Sequence, residues 1–389
     1  MRITVLAGGV GGARFLQGLR AAFPDDEITV IGNTADDIWL HGLKVCPDLD
    51  TVMYTLGGGI DLERGWGRSD ETYGVLDELG AYGFDPLWFT LGDRDIATHL
   101  VRTQLLAAGY PLHEVTAALC ARWQPGVTLL PMTNDRVETH VVVDTEEGRA
   151  AIHFQQWWVK HRAALAAHQF MFVGIDAATP AAGVLDAIWQ ADVLVLPPSN
   201  PVVSIGPILA VPGIREAVLE TPAPVVGVSG IVGGRPVKGM ADACLAAIGV
   251  PADSASVAAH YGSRGEGGIL DGCRLQTRAR EAQAGPGRWT LVGARRRRPV
   301  EGREDALLLH RRDAGPAVDD AHHEPRPHGA CAHGHGLAAR VAHRVLDEVG
   351  ERPLELRAVG ADERQVGVDR VGDAGMPLAG RAQHLVDRA

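Results

Sequence analysis

Directly after its first residues the chain runs a short apolar stretch, residues 2–6, into Gly8-Gly9-Val10-Gly11-Gly12. This feature constrains the fold more than any other. Residues 14–23 follow with Phe15, Leu16 and Leu19 spaced for one helix face, and residues 27–32 are rich in β-branched side chains. Strand, glycine turn, helix and strand make the opening βαβ unit of a doubly wound sheet. A glycine turn at a helix N-terminus also exposes backbone N–H groups where the helix dipole favours an anion, and the missing Cβ atoms let a phosphate approach. The pattern lacks the Gly-Lys-Ser/Thr of a Walker loop, and Arg14 stands where a GxGxxG motif has its third glycine.

Later segments extend the same architecture. Residues 192–196 and 224–228 read as buried strands, each ending in small, polar or glycine residues. Helices are expected over 94–108, 111–122, 181–189 and 239–248. Residues 138–144 and 149–154 read as an antiparallel pair across Glu146-Glu147-Gly148. The expected fold is α/β and Rossmann-like: a mainly parallel sheet with helices on both faces and a smaller inserted lobe near residues 135–175.

The 389 residues carry a formal net charge of −11, and 46% are hydrophobic, enough for a large core. An acidic chain of this kind does not attract nucleic acid or anionic membrane as a whole. No stretch approaches the roughly 18 apolar residues of a membrane span. Five cysteines without a CxxC pair fit a reducing, cytoplasmic setting. Near Gly272 the composition changes. From Cys273 onward there is no Ile, Phe, Tyr, Lys, Asn or Ser, and half of the 16 histidines lie there. Residues 1–272 form the expected α/β domain. Residues 273–389 read as a tail that is either disordered or the product of an out-of-frame, GC-rich gene segment.

Five clusters carry the candidate chemistry. Gly8, Gly9, Gly11 and Gly12 form the expected phosphate loop. Asn33-Thr34-Ala35-Asp36-Asp37 and Asp48-Leu49-Asp50 follow the second strand, where open sheets hold ligands. Carboxylates beside a phosphate site point to Mg²⁺, with Asp37 and Asp50 as the expected metal ligands and catalytic residues. Thr90 and Asp93 belong to a third cluster with His99, although Asp93 could equally cap the helix that follows. Ser199, Asn200 and Ser204 lie on a proline-rich loop after the strand candidate 192–196, and Ser229 and Gly233 on a loop after the candidate 224–228. Phe154-Gln155-Gln156-Trp157-Trp158 could stack a flat heterocycle or pack the lobe.

Taken together, Gly8-Gly-Val-Gly-Gly-Ala-Arg14, Asn33-Thr-Ala-Asp-Asp37, His41-Gly42, Pro47-Asp-Leu-Asp-Thr51, Leu91-Gly-Asp-Arg-Asp95, Ala97-Thr-His99, Phe154-Gln155, Pro198-Ser-Asn-Pro201 and Ser204-Ile-Gly-Pro207 resemble the 2-phospho-L-lactate transferases of coenzyme F-420 biosynthesis. Gly57-Gly-Gly-Ile-Asp61, Arg64-Gly-Trp-Gly67 and Arg122-Trp-Gln-Pro125 look like the actinobacterial, phosphoenolpyruvate-using branch. The resemblance covers residues 1–272. It implies a Mg²⁺-dependent transfer. The hydroxyl of the deazaflavin Fo attacks the β-phosphorus of a guanosine diphosphate-linked phosphoenolpyruvyl or 2-phospholactyl donor, and GMP leaves. It also implies a homodimer, an Fo contact at Asp50, and a second Fo contact at Thr90, where some members carry lysine. The relatives' further strand and helix after the Gly-Gly-Ile-Leu-Asp-Gly stretch is not recognisable here, so the last sheet edge is expected to be bare.

Two other functions compete. An NAD(P)-dependent oxidoreductase would use Asp36 on a ribose, and an inactive deazaflavin- or nucleotide-binding protein would hold the same ligands without turnover.

Overall fold

A computed structural model describes residues 1–262 and 290–295. All of these fall in the first of two compact units, Met1–Arg352; the second, Pro353–Ala389, lies outside the described residues.

The first half of the chain runs β1 (Arg2–Ala7), α1 (Gly9–Ala22), β2 (Glu27–Gly32), the hairpin β3 (Ile38–Leu40) and β4 (Leu43–Val45), then α2 (Pro47–Leu56), α3 (Gly74–Ala81), α4 (Asp93–Ala107), α5 (Leu112–Trp123) and β5 (Thr128–Pro131). A lobe follows with β6 (Glu138–Thr145), β7 (Gly148–His153) and β8 (Ala167–Val173). The chain then re-enters the sheet through α6 (Val184–Trp189), β9 (Val193–Leu196), α7 (Gly206–Ala210), α8 (Ile214–Glu220) and β10 (Val225–Ser229). The small hairpin of β11 (Ile231–Val232) and β12 (Arg235–Pro236) comes next, followed by α9 (Ala241–Ala247), α10 (Ser254–Gly262) and β13 (Thr290–Arg295).

The main sheet has the order β13-β10-β9-β1-β2-β5. All neighbours pair in parallel except β13, which runs antiparallel to β10. This is the doubly wound order, and its reversal point lies between β1 and β9, where ligands bind at the strands' C-terminal ends. Alternation along the strands divides the core. Val5, Val30, Val193, Val195 and Val226 face one cluster with Phe15 and Leu16 of α1, Val52 of α2 and Val115 of α5. Leu6, Ile31, Leu194, Leu196 and Val225 face the other, with Ile188 of α6, Val218 of α8 and Trp157 of the lobe. Both faces are thus covered, which is why these strands read as continuous apolar runs.

The inserted lobe is a three-stranded antiparallel sheet, β7-β6-β8. Its β6–β7 hairpin matches the expected pair, and β8 is an addition that the sequence reading lacks. A second difference is the sheet edge. β10 is not bare: β13 pairs with it from Val225↔Arg295 to Ser229↔Thr290, with an irregularity between Gly227 and Val228. Of the tail expected over residues 273–389, residues 290–295 form β13, and residues 273–289 and 296–389 lie outside the described residues. Among the described residues no single helix is long and apolar enough to cross a membrane.

Candidate functional site

A cavity of about 470 Å³ opens at the sheet's reversal point. β1 delivers Gly8 there and β9 delivers Pro198–Ser199, and the two segments lock together. Ser199 Oγ donates to the Gly8 carbonyl at 2.8 Å and accepts from the Gly8 N–H at 3.2 Å. Helix α1 begins at Gly9, earlier than expected, so Gly11 and Gly12 lie in its first turn. Added Cβ atoms show what these glycines do. At Gly11 a Cβ would stand 2.6 Å from the Pro198 carbonyl, at Gly12 2.5 Å from Ser199 Oγ, and at Gly8 2.5 Å from Asp48 Oδ2. Gly12 therefore serves packing against the Ser199 loop and does not line the cavity, whereas Gly8, Gly9 and Gly11 do. Gly9 adopts φ +65°, a left-handed conformation suited to glycine.

The carboxylates divide differently from expectation. Asp36 and Asp48 line the cavity, and both are buried. Asp48 accepts from Asn33 Nδ2 at 3.0 Å and from the Gly9 N–H at the start of α1. Burial and the neighbouring Asp37 nevertheless raise its pKa to about 6. Burial and the charge of Asp48 also push the pKa of Asp36 well up, and its Oδ1 has no hydrogen-bond partner. Two buried carboxyls that oppose each other's ionisation, one with an unpartnered oxygen, fit a cation. Among the described residues no trio of His, Cys, Asp and Glu converges to hold a metal. The protein offers a pair, and Mg²⁺ commonly completes such a pair with water and substrate oxygens.

Asp50 and Asp37, the expected metal ligands and catalytic residues, do not reach the cavity wall. Asp50 forms a buried two-pronged ion pair with Arg102, through Nη2 and through Nη1 at 3.1 Å, and His99 Nδ1 lies 3.7 Å away. Asp37 pairs with Lys44 Nζ at 3.0 Å and accepts from Cys46 Sγ at 3.1 Å. Asp48 and Thr51 line the cavity in place of Asp50 because residues 47–56 form a helix, which turns Asp48 and Asp50 to different sides.

The other expected residues sort as clearly. Thr90, Ser199, Asn200, Ser204 and Ser229 line the cavity. Asn200 also caps the turn Pro201–Ile205 by accepting from the Val202 and Val203 N–H groups. Asn33 is buried and positions Asp48; Thr34 is buried with an unpartnered hydroxyl and is not part of the wall. Asp93 caps a helix, accepting from the N–H groups of Gly74 and Val75 at the start of α3, and is not part of the cavity wall. Gly233 sits with Gly234 in the two-residue turn between β11 and β12, both at positive φ, away from the cavity.

The aromatic run splits by register. Trp157 is buried in the lobe core, its Nε1 donating to the Leu165 carbonyl at 2.8 Å. Phe154 and Trp158 line the cavity and stack with centroids 6.0 Å apart and planes 18° apart. Sequence reasoning missed Trp66, Phe89, Arg64 and Lys238 on the same wall. Arg64 and Trp66 belong to a quoted motif, but no local pattern marks which of its side chains turn inward.

The family model for 2-phospho-L-lactate transferase CofD matches residues 3–283. The chain belongs to this family. A phosphoenolpyruvate transferase of Streptomyces griseus is 67% identical over 277 residues, spanning 71% of this chain and 86% of that protein. Phosphoenolpyruvate transferases of Thermobifida fusca (64% over 280 residues, 70% of this chain and 85% of that one) and Mycobacterium marinum (58% over 284 residues, 70% and 86%) are similar. A crystal structure of a UPF0052 protein from Bacillus halodurans aligns over 57% of this chain and 66% of its own at 22% identity, with a TM-score of 0.40. Family membership makes the chain a transferase and displaces the oxidoreductase reading.

Proposed function

We propose that the protein transfers a phosphoenolpyruvyl or 2-phospholactyl group from a guanosine diphosphate-linked donor to the hydroxyl of the deazaflavin Fo in coenzyme F-420 biosynthesis. The observation that carries this reading is the cavity itself. A helix N-terminus, two buried carboxyls and an aromatic wall meet at the sheet's reversal point, in a chain whose relatives are phosphoenolpyruvate transferases.

Phosphoryl transfer needs positioning and charge neutralisation more than covalent catalysis. The first-turn N–H groups of α1 have no intrahelical acceptors and suit the donor's diphosphate. Asp36 and Asp48 would hold Mg²⁺, which would neutralise charge on the diphosphate oxygens. The Fo hydroxyl oxygen forms the new bond to the β-phosphorus, the bond from that phosphorus to the bridging oxygen breaks, and GMP takes the electron pair. The hydroxyl's proton passes to water or to the departing GMP phosphate, whose second pKa is about 6. Phe154 and Trp158 offer a face for a flat ring, and Ser199, Asn200 and Ser229 offer polar contacts.

The protein works as a cytoplasmic homodimer in this reading. Tyr82, Phe84 and Leu87, exposed at 84%, 52% and 36% just beyond α3, supply an apolar surface for the second copy. The test is chromatographic detection of GMP when donor, Fo and Mg²⁺ are mixed with the protein. Stoichiometric GMP and a phosphodiester of Fo are expected. Binding of Fo and GDP without GMP release would leave only a binding protein.

A further inference from the structure

A part of the cavity wall that the transfer reading leaves unused is cationic. Lys238 and Arg64 both line it. Gly65, at φ +77°, lies so close that a Cβ there would stand 2.8 Å from Lys238 Nζ and 3.2 Å from Val10 Cγ1. The ammonium of Lys238 therefore sits over the first turn of α1. Arg14, one turn further along that helix, is near enough that its charge and, before it, burial lower the pKa of Lys238.

The three cations are not equivalent. Arg64 is satisfied: its Nε donates to Asp61 at 2.8 Å, it reaches the Tyr73 hydroxyl, and its guanidinium stands 5.1 Å from the Trp66 ring centroid. Arg14 has a carbonyl, Leu62 O at 3.3 Å, and no carboxylate among the described residues. Lys238 lines the cavity wall with its side chain open to solvent, and it has no hydrogen-bond acceptor and no ion-pair partner among the described residues. In a chain of net charge −11, two cations without carboxylate partners among the described residues, beside the positive end of a helix and on the wall of the cavity, make a local site of positive potential suited to an anionic ligand group.

We propose that Lys238, backed by Arg14, is the specificity residue for the acid end of the donor, pairing with the carboxylate of the three-carbon group that is transferred. The inference rests on the transfer reading above and goes one step further. In that reading the α1 N–H groups and the Asp36–Asp48 pair serve the diphosphate. The donor's remaining anionic group is the carboxylate, and a compact ammonium on a flexible stem suits a single oxygen anion. A nucleotide phosphate is the other source of anionic oxygen, and the two make different demands on a ligand that lacks the acid.

Calorimetric titration of the wild type, Lys238→Met, Lys238→Arg and Arg14→Met with enolpyruvyl-diphospho-guanosine and with GDP separates them. Lys238→Met is expected to weaken the donor roughly ten- to a hundredfold, the range for a lost charge-assisted contact, and to leave GDP within about twofold of the wild type. Unchanged GDP binding also shows that the variant is folded. Lys238→Arg should recover most of the donor affinity, and Arg14→Met should lose a smaller part of it. Parallel weakening of donor and GDP overturns the proposal in favour of a phosphate contact. Unchanged donor binding in Lys238→Met, or wild-type protein that binds the donor no tighter than GDP, overturns it outright. GMP release by the wild type, measured separately, reports on the transfer reading alone.

Discussion

Replacing Gly12 by alanine tests whether the glycine turn is built for a phosphate or for its own packing. The new Cβ would lie 2.5 Å from Ser199 Oγ and 3.2 Å from the Ala7 Cβ, with nothing else closer than 3.7 Å. Ser199 must therefore turn away, and its hydroxyl then loses both bonds to Gly8, at 2.8 and 3.2 Å, in a buried place. Each lost bond leaves a buried backbone group unsatisfied at about 1–3 kcal/mol, while alanine in a helix regains up to about 1 kcal/mol over glycine. Gly12→Ala should thus cost roughly 1–5 kcal/mol in urea denaturation of the ligand-free protein. Ser199→Ala removes the same two bonds and also the obstructing oxygen. Adding Gly12→Ala to Ser199→Ala should then cost less than about 1 kcal/mol more, a strongly non-additive cycle. A Gly12→Ala variant of wild-type stability whose KM for the donor rises instead would refute the packing argument and restore Gly12 to the phosphate site.

Three further outcomes follow from the same geometry. The folded pKa of Asp48, about 6, lies above its unfolded value of 3.8, so its stabilising contribution is fully present below pH about 4 and is lost as pH rises through about 6. That gap corresponds to about 3 kcal/mol in all, of which about 2 kcal/mol falls between pH 4.5 and 8; denaturation of Asp48→Asn in Mg²⁺-free buffer at those two pH values should show a pH dependence smaller by about 2 kcal/mol, and an unchanged pH dependence would exclude Asp48 as its source. Arg102→Met leaves Asp50 as an unpaired buried charge and should cost about 3–5 kcal/mol. Adding Asp50→Asn to it should restore much of that loss; equal instability of the single and double variants would refute the pairing. For the out-of-frame reading of residues 273–389, resequencing the gene across the codons for residues 269–280 should show one base inserted or missing, and a confirmed frame with an intact mass of 41.3 kDa would sink it.

How much of this was legible follows from the spacing of each motif. The strands β1, β2, β9 and β10 could be read because strands covered on both faces must be apolar throughout, and the β6–β7 hairpin because Glu146-Glu147-Gly148 interrupts an alternating pattern. The edge strand β5 is four residues ending in Pro131, too short to stand out. The site was legible as a set of loops and illegible as a set of side chains, and Pro47-Asp48-Leu49-Asp50-Thr51 shows why. Read as a loop, its two aspartates are equivalent. Read as a helix with proline at its first position, the residues fall about 100° apart around the axis, so Asp48 and Asp50 differ by roughly 200° while Asp48 and Thr51 share a face. The second reading places Asp48 and Thr51 on the cavity and turns Asp50 toward Arg102, with Tyr54 one turn beyond Asp50 bonded to Asp95 at 2.7 Å. Proline at N1 was the available signal. Nothing near Asp50 in the sequence announces Arg102, 52 residues away, as its partner. An acid inside a family motif can therefore owe its place to a buried ion pair behind the site wall, while the acid two residues before it lines the cavity.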